Sequence, residues 1–404
     1  MTSSGLSREA AFVLAAVNRS VGAELLCALA SDGLDWARVL EISVSEGAQP
    51  GLARRLRGCA ELRLPAGVGA ALDRIARVTE LRMEYVRQRL NEVAGEFARA
   101  GIPVVLLKGA ALAQWAYESF GERYMSDLDL LVRPADAARA HELLQSAGWK
   151  LRFKVQYERI YRDMHHLMPL VDVRVPAMKL NAEIHTSLIP AERDPFLLDV
   201  EAIWREARRV EELPGEVFVP SPTHALWHTC VHYAWSHMFS RGVRTFQDVA
   251  AIVRTGRVDW AAFVSEATRT RAATCCYWTL LLACDLGGAA VPEEVLHALE
   301  PRMSSTLRRT ITRHLENEII TGHGVCPSIR LRQLMWRAAI RPGRSGHGGN
   351  RPWSDTDWNA MLADHLEDGE ALPADRMPSS RDMNAWIRYL HSLVSRVRVR
   401  PTAA

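Results

Sequence analysis

The stretch VVLLKGAALAQWAYESFGERYMSDLDLLV, residues 104–132, decides the fold. It opens with a short apolar run, turns at Lys108 and Gly109 into a helical pattern, and ends in a second apolar run that carries Asp127 and Asp129. Side chains two residues apart on a strand point to the same face, about 6.6 Å from each other. The pattern predicts a strand, a helix and a second strand with two neighbouring carboxylates.

Asp127 and Asp129 are the first candidates for chemistry. The leucines around them, Leu128 and Leu130, indicate a buried strand, where two unpaired carboxylates are costly unless something binds them. Paired carboxylates of this kind can hold two cations, and oxygen ligands suit Mg²⁺. We therefore predict a metal site with Mg²⁺ as the expected ion and Mn²⁺ as the alternative. The competing interpretation is a strand with a solvent-facing acidic edge.

A third carboxylate is needed to complete such a site. Glu183, in the apolar run LNAEIHTSL at 180–188, is the favoured candidate, and His185 shares its strand face. Asp172, in PLVDVRV at 169–175, is the second candidate. We predict that Asp127, Asp129 and Glu183 are both the catalytic residues and the metal ligands.

Lys108 and Gly109 are placed where a polyphosphate can lie. Glycine allows the backbone to approach a phosphate closely, the following helix contributes its N-terminal dipole, and lysine supplies a positive charge. Arg123, Ser126 and His185 complete the predicted nucleotide-binding set. For Arg123 an ion pair with the aspartates is an equally favoured alternative.

Several histidines recur on a later helical segment. His224, His228 and His232 are spaced four residues apart, with His237 beyond them. Spacing of this kind can bind zinc, but no acidic residue or cysteine lies at the matching positions, so packing and hydrogen bonding are favoured. His232 and His237 are predicted as substrate contacts.

Asp248, in TFQDVAAIV at 245–253, is predicted as a further substrate contact. Arg244 precedes it by one helical turn, so an ion pair between the two is the alternative.

The order of the patterns predicts an α+β fold in which a small mixed sheet carries the charged candidates. Helical periodicity fills 1–100, an α/β core occupies 101–220, and helices return at 221–340. Runs at 149–155, 166–175 and 180–188 predict strands in addition to the first two. The last segment, 341–404, combines a Gly/Arg/Pro-rich loop with a basic terminal helix.

Composition narrows the class of protein. The 404 residues are 48% hydrophobic and 24% charged, as in ordinary globular proteins, and a net charge of +3 gives no case for an extended nucleic-acid surface. Seven cysteines without a CxxC motif favour free thiols and a cytoplasmic location. Neither a signal peptide nor an apolar run of membrane-spanning length is found, so no membrane association is expected.

These residues resemble the uncharacterised nucleotidyltransferase family of the DNA polymerase β-like nucleotidyltransferase superfamily. The matching motifs are, in order, LLKG at 106–109, RYMSDLDLLV at 123–132, AEIHTSL at 182–188, HTCVHYAWSH at 228–237 and TFQDVAAIV at 245–253. The resemblance implies a mixed sheet with flanking helices, metal ions on Asp127 and Asp129, and Glu183 as third ligand. One departure is the Lys108-Gly109-Ala110 turn, since the superfamily usually has Gly-Ser or Gly-Gly there.

The expected activity is Mg²⁺-dependent nucleotidyl transfer. A nucleoside monophosphate would move from an NTP, with ATP expected, to a hydroxyl or phosphate of a small-molecule, peptide or protein acceptor, with release of pyrophosphate. The alternatives are a catalytically inactive nucleotide-binding scaffold or sensor, and an RNA end-modifying nucleotidyltransferase, which the near-neutral charge makes the less favoured.

Overall fold

Helices and a mixed sheet form the part of the chain that the computed structural model describes, which is residues 6–31, 33–153, 161, 164–189, 196–320, 326–340 and 383–395. This confirms the α+β class. The helices are α1 Arg8–Val17, α2 Ala23–Ser31, α3 Trp36–Ser45, α4 Gln49–Arg57, α5 Ala66–Ala100, α6 Lys108–Trp115, α7 Ala137–Ser146, α8 Val200–Glu206, α9 Pro222–Val231, α10 Gly242–Arg254, α11 Trp260–Arg269, α12 Ala273–Gly287, α13 Glu293–Leu299, α14 Ser305–Glu318, α15 Ile329–Ile340 and α16 Met383–Ser395.

Seven strands form the sheet in the order β3-β4-β5-β2-β1-β7-β6. The central strand β2 is antiparallel to β1 and parallel to β5. The strands are β1 Val104–Leu106, β2 Asp127–Leu131, β3 Lys150–Leu151, β4 Leu170–Val171, β5 Asn181–His185, β6 Arg208–Arg209 and β7 Val217–Val219.

Helix α5 supports one face of the sheet. It carries buried apolar residues at helical spacing, among them Val86, Leu90 and Phe97, and these share a hydrophobic core with Leu128 and Leu130 of β2. The helix ends at Gly101, whose φ of 65° closes it in the left-handed conformation that glycine adopts without strain. Because strand side chains alternate, burying the leucines on this face turns Asp127 and Asp129 to the other.

The opposite face of the sheet meets the helices that follow residue 220. Leu131 of β2 belongs to a second core that includes Trp227 of α9 and Trp278 of α12. Phe12 of α1 and Ile42 of α3 lie in the same core, and α1 packs against α10 and α12. The face of β2 that carries Leu131 therefore meets a core built by helices from before and after the sheet.

Two short strands were missing from the sequence prediction. The segments β6 and β7 form a hairpin, and β7 extends the sheet by pairing in parallel with β1, Val104 opposite Val217. Strands of two and three residues are too short to show the alternation from which strands are predicted. The predicted run at 166–175 is likewise shorter, because only Leu170–Val171 pairs as β4.

The end of the chain is described only in α16. The predicted Gly/Arg/Pro-rich loop lies outside the described residues. Within the described residues, none of the helices combines the length and the apolar character needed to cross a membrane.

Candidate active site

Three carboxylates converge on one cavity of about 410 Å³. Asp127 and Asp129 reach it from β2 and Glu183 from β5. The parallel pairing of these strands sets Asp129 directly opposite Glu183, so the two side chains leave the sheet on the same face. Asp129 is the most buried of the three, with 2% of its surface exposed. The cavity thus concentrates negative charge where water has little access.

Lys108 neutralises part of this charge. Its Nζ donates to Oδ1 of Asp129 at 2.6 Å. Burial alone would lower the pKa of Lys108, but the charges of Asp129, Glu183 and Asp127 outweigh burial and raise it above its usual value. The residue also has a φ of 46°, in the left-handed region that costs a non-glycine residue roughly 1–2 kcal/mol. Strain of this kind is characteristic of functional sites.

His185 provides a second positive group. Its Nε2 lies 3.0 Å from Oδ1 of Asp129 and 3.4 Å from Oε2 of Glu183. Burial would lower the pKa of His185, yet its hydrogen bonds to the two carboxylates prevail and raise it. His165 and His166 stand beside it with ring centroids 5.2 Å away, and burial lowers the pKa of both. Of these three imidazoles, His185 alone has a raised pKa.

The pKa values of Asp127 and Asp129 are shifted in opposite directions. For Asp129, burial is overcome by Lys108 and His185, which hold its pKa well below the usual range. For Asp127, burial and the neighbouring charges of Asp129 and Glu183 raise the pKa instead. Among the described residues, no cation forms an ion pair with Asp127. A bound metal ion would relieve the repulsion between Asp127 and its acidic neighbours.

The donor set fits a divalent cation. Ligand atoms of Asp129, Glu183 and His185 lie within 4.8 Å of one another, and Asp127 lines the same cavity. Carboxylate oxygens dominate the set, as Mg²⁺ and Mn²⁺ prefer.

Helix α9 and the turn after it supply another wall of the cavity. His228 of α9 and His232 and His237 beyond it line the cavity, and His232–Ser236 is a π-helical turn, a feature frequent at functional sites. Burial lowers the pKa of His228 and of His237 to about 3, so both rings are neutral near pH 7. Nε2 of His228 is buried without a hydrogen-bond partner in the described part of the chain. The fourth member of the predicted series, His224, instead contacts the helix-capping Ser221 at 3.1 Å.

Arg123 and Asp248 form a buried bidentate pair at the edge of the cavity. Nε of Arg123 lies 2.6 Å from Oδ1 of Asp248, and Nη2 lies 2.8 Å from Oδ2. Tyr117 adds a third hydrogen bond by donating to Oδ1 at 2.6 Å. Asp248 is thus paired with Arg123 and not with Arg244, and Arg123 is not paired with the aspartates of β2.

Gly109 has a packing reason to be glycine. A Cβ at this position would lie 3.3 Å from Cζ of Arg123 and from Cβ of Met125, tighter than ordinary contacts. The residue therefore makes room for the guanidinium of Arg123.

Arg244 lines the cavity without a bonded partner. It is half-buried, and it makes no hydrogen bond or ion pair with any residue that the structure describes. Burial and the charge of Arg123 lower its pKa, while Asp127 acts in the opposite sense. The spacing in the sequence suggests Arg244 only as an ion-pair partner of Asp248. An unpaired, enclosed guanidinium beside a cluster of acids indicates a place for an anionic ligand.

Two predicted residues lie away from the cavity wall. The carbonyl of Ser126 accepts a hydrogen bond from the backbone N–H of Asn181 at 3.0 Å, which fixes the start of β2 against β5. Asp172 is 2% exposed and bonded to Nε of Arg89 at 2.5 Å, with Tyr85 also donating to it. Asp172 is neutralised outside the acidic centre, so the structure brings Glu183, and not Asp172, to Asp127 and Asp129.

A larger cavity of about 700 Å³ lies on the far side of α10. It is lined by arginines, among them Arg54 and Arg254, and by Tyr117, but by none of the three carboxylates. Volume alone would favour this cavity. The chemistry of the side chains favours the smaller one, where acids, cations and buried unpaired nitrogens meet.

Comparison with known proteins agrees with this geometry. The model of a family described as "uncharacterised nucleotidyltransferase" matches residues 32–288, more than half of the chain, and this range includes all the cavity residues named above. No curated protein and no solved structure matches the chain.

Proposed function

Because the chain belongs to the uncharacterised nucleotidyltransferase family, and is therefore a transferase of nucleotidyl groups, we propose a more specific reaction. A nucleoside monophosphate moves from an NTP, ATP being the expected one, to a hydroxyl or phosphate of a small-molecule, peptide or protein acceptor, and pyrophosphate leaves. The observation that supports this proposal is the convergence of Asp127, Asp129 and Glu183 in a cavity that also holds Lys108 and the unpaired Arg244.

Asp127, Asp129 and Glu183 are the proposed ligands of Mg²⁺, with Mn²⁺ as the alternative ion. When bound, such an ion neutralises phosphate charge and lowers the pKa of an attacking oxygen. Asp129 already accepts from Lys108 and His185 through Oδ1. These two donors fix the orientation of the carboxylate before any ligand arrives, which is the preorganisation that electrostatic catalysis requires.

The positive side chains hold the triphosphate in this proposal. Lys108 contacts it from the start of α6 and Arg244 from α10, and both side chains line the cavity together with Asp127. Arg123 is a positioning residue, because its guanidinium is already used by Asp248. Phosphoryl chemistry needs little more from a protein than such positioning and charge.

Acceptor activation falls to Glu183. It stands beside His185 and at the level of Asp129, so an acceptor oxygen in the cavity can lose its proton to this carboxylate. The neutral His232 and His237 contact the substrates by hydrogen bonds, since burial keeps them from carrying charge.

The test combines product detection with two near-isosteric variants. The purified chain is incubated with Mg²⁺, each NTP and a panel of acceptors, and pyrophosphate and labelled acceptor are measured. Asp127→Asn and Asp129→Asn should each reduce turnover at least about a hundredfold, as loss of a preorganised electrostatic group does. Glu142→Gln, an exposed acid on α7, is the matched control and should leave turnover unchanged. Near-normal turnover in either aspartate variant overturns the proposal.

The same experiment separates the alternatives. Binding of NTP without product on any acceptor would favour a nucleotide-binding scaffold or sensor. Transfer to RNA ends, with RNA affinity that falls steeply with salt, would favour RNA end modification.

A further inference from the structure

A second group of metal-ligating side chains lies in the C-terminal helices, outside the residues that match the family model. His314 and Glu318 are one helical turn apart on α14, and Cys326 precedes α15. Ligand atoms of all three lie within 4.8 Å of one another. The residues are 1%, 2% and 4% exposed, respectively. A nitrogen, an oxygen and a sulfur ligand thus face each other in a dry interior.

We propose that His314, Glu318 and Cys326 bind one zinc ion. Zinc accepts this mixture of ligands and prefers tetrahedral geometry, with bonds of about 2.0–2.3 Å that place the ligand atoms about 3.3–3.8 Å apart. The ligand atoms of the three side chains lie within 4.8 Å of one another, so binding would draw them closer together. Three protein ligands leave the fourth position to water.

Neighbouring groups already orient two of the ligands. Nδ1 of His314 is hydrogen bonded to Oη of Tyr389 at 2.7 Å, so Nε2 is the ring nitrogen that remains for the metal in this proposal. Oε1 of Glu318 accepts the backbone N–H of Cys326 at 3.2 Å, which ties the carboxylate to the third ligand. Outer contacts of this kind fix the tautomer and direction of metal ligands.

Two negative ligand charges face the zinc ion. Binding displaces the thiol proton of Cys326 to solvent, and the resulting thiolate and the carboxylate of Glu318 carry these charges. Nε of Arg332 lies 3.2 Å from Oε2 of Glu318, so this carboxylate is shared between the metal and a guanidinium whose side chain is 16% exposed. In the structure the thiol of Cys326 donates to the carbonyl of Ser328 at 3.5 Å.

The site would fasten the C-terminal helices together. Helix α14 packs against α15 and α16. His314 and Glu318 belong to α14, Cys326 lies just before α15, and Tyr389, which contacts His314, belongs to α16. A zinc ion here acts on stability and is independent of the acidic centre.

Metal analysis of the full chain is the first test. The wild-type chain and the Asp129→Asn chain should each retain one zinc ion, whereas Cys326→Ser should lose it. Cys284→Ser, which removes another free thiol on α12, is the matched control and should keep it. Replacement of zinc by Co²⁺ should give a thiolate-to-cobalt absorption band that Cys326→Ser lacks. Absence of bound metal in the wild-type chain, or its retention in Cys326→Ser, overturns the proposal.

A second measurement uses only the wild-type chain and so does not depend on the folding of a variant. Zinc should protect Cys326 from alkylation, and a chelator should expose it, as mapped by mass spectrometry. Equal labelling of Cys326 before and after chelation would mean that the three side chains form a hydrogen-bonded cluster without metal.

Discussion

Substitution of Arg244 distinguishes most clearly between a structural role and a ligand-binding role. The Arg244→Ala variant removes a half-buried cation that has no bonded partner among the described residues and whose pKa is lowered by burial and by Arg123. Stability should therefore stay within about 0.5 kcal/mol or rise, because no hydrogen bond or ion pair with a described residue is lost and the repulsion from Arg123 is relieved. Urea unfolding of the ligand-free chain measures this.

By contrast, the affinity of Arg244→Ala for nucleotide should fall. A hydrogen bond to a charged group contributes about 1.5–3 kcal/mol, which corresponds to a Kd that rises about tenfold to a hundredfold. Calorimetry with an NTP, the NDP and the NMP locates the contact, since an arginine on the outer phosphates matters least for the monophosphate. Arg241→Ala, an exposed arginine at the rim of the same cavity, is the control and should have a smaller effect.

Asp248→Asn on the same helix should show the reverse profile. It breaks the buried pair with Arg123 and leaves a guanidinium without its counter-ion, which costs about 3–5 kcal/mol of stability. If Arg244→Ala instead lowered the free energy of unfolding by several kcal/mol and left the NTP affinity of the folded chain unchanged, Arg244 would be a structural group, and its role in binding the ligand would be refuted.

The remaining predictions concern pH and the third carboxylate. Burial holds the pKa of His228 and His237 at about 3, below the ordinary 6.5, so the unfolded chain binds more protons than the folded one and stability should fall as pH drops from about 6.5 towards 3; urea midpoints at several pH values check this, and a midpoint that rises on acidification contradicts it. Glu183→Gln should abolish turnover with little loss of stability. Asp172→Asn should cost stability, because it removes the buried counter-ion of Arg89 and leaves only the pair with the half-exposed Glu92, yet it should leave the NTP affinity of the folded chain unchanged. Calorimetry and urea unfolding of both variants decide which carboxylate serves the site.

Local patterns were sufficient to predict the centre of the fold. The alternation in β2 determined which face holds Asp127 and Asp129, and the glycine at the end of α5 marked the helix boundary. These features depend on neighbours within a few residues, which is the range over which side-chain periodicity and capping act. The strands β6 and β7 are too short to carry such a pattern, and they are held in the sheet by the pairing of β7 with β1 and of β6 with β7.

The ion-pair partner of a buried charged residue could not be predicted from its spacing along the sequence. Asp248 is one helical turn from Arg244, but it pairs with Arg123, 125 residues away in sequence, because the sheet and α10 bring the two together in the interior. The placement of Glu183 beside Asp129 likewise depends on β5 pairing with β2, which no local signal determines. His165 and His166 show no periodicity at all, and their position near His185 emerges only from the tertiary structure.

The two aspartates of β2 have different tasks in the ligand-free protein, although both variants should lose turnover. Asp129 is held ionised by Lys108 and His185, so Asp129→Asn removes the acceptor of two buried cationic groups and should destabilise the fold. Asp127 has no such partner and experiences burial and the repulsion of its neighbours, so Asp127→Asn should leave stability unchanged or raise it. If Asp127→Asn relieves charge repulsion and yet abolishes turnover, the charge of Asp127 is needed only when a ligand is bound.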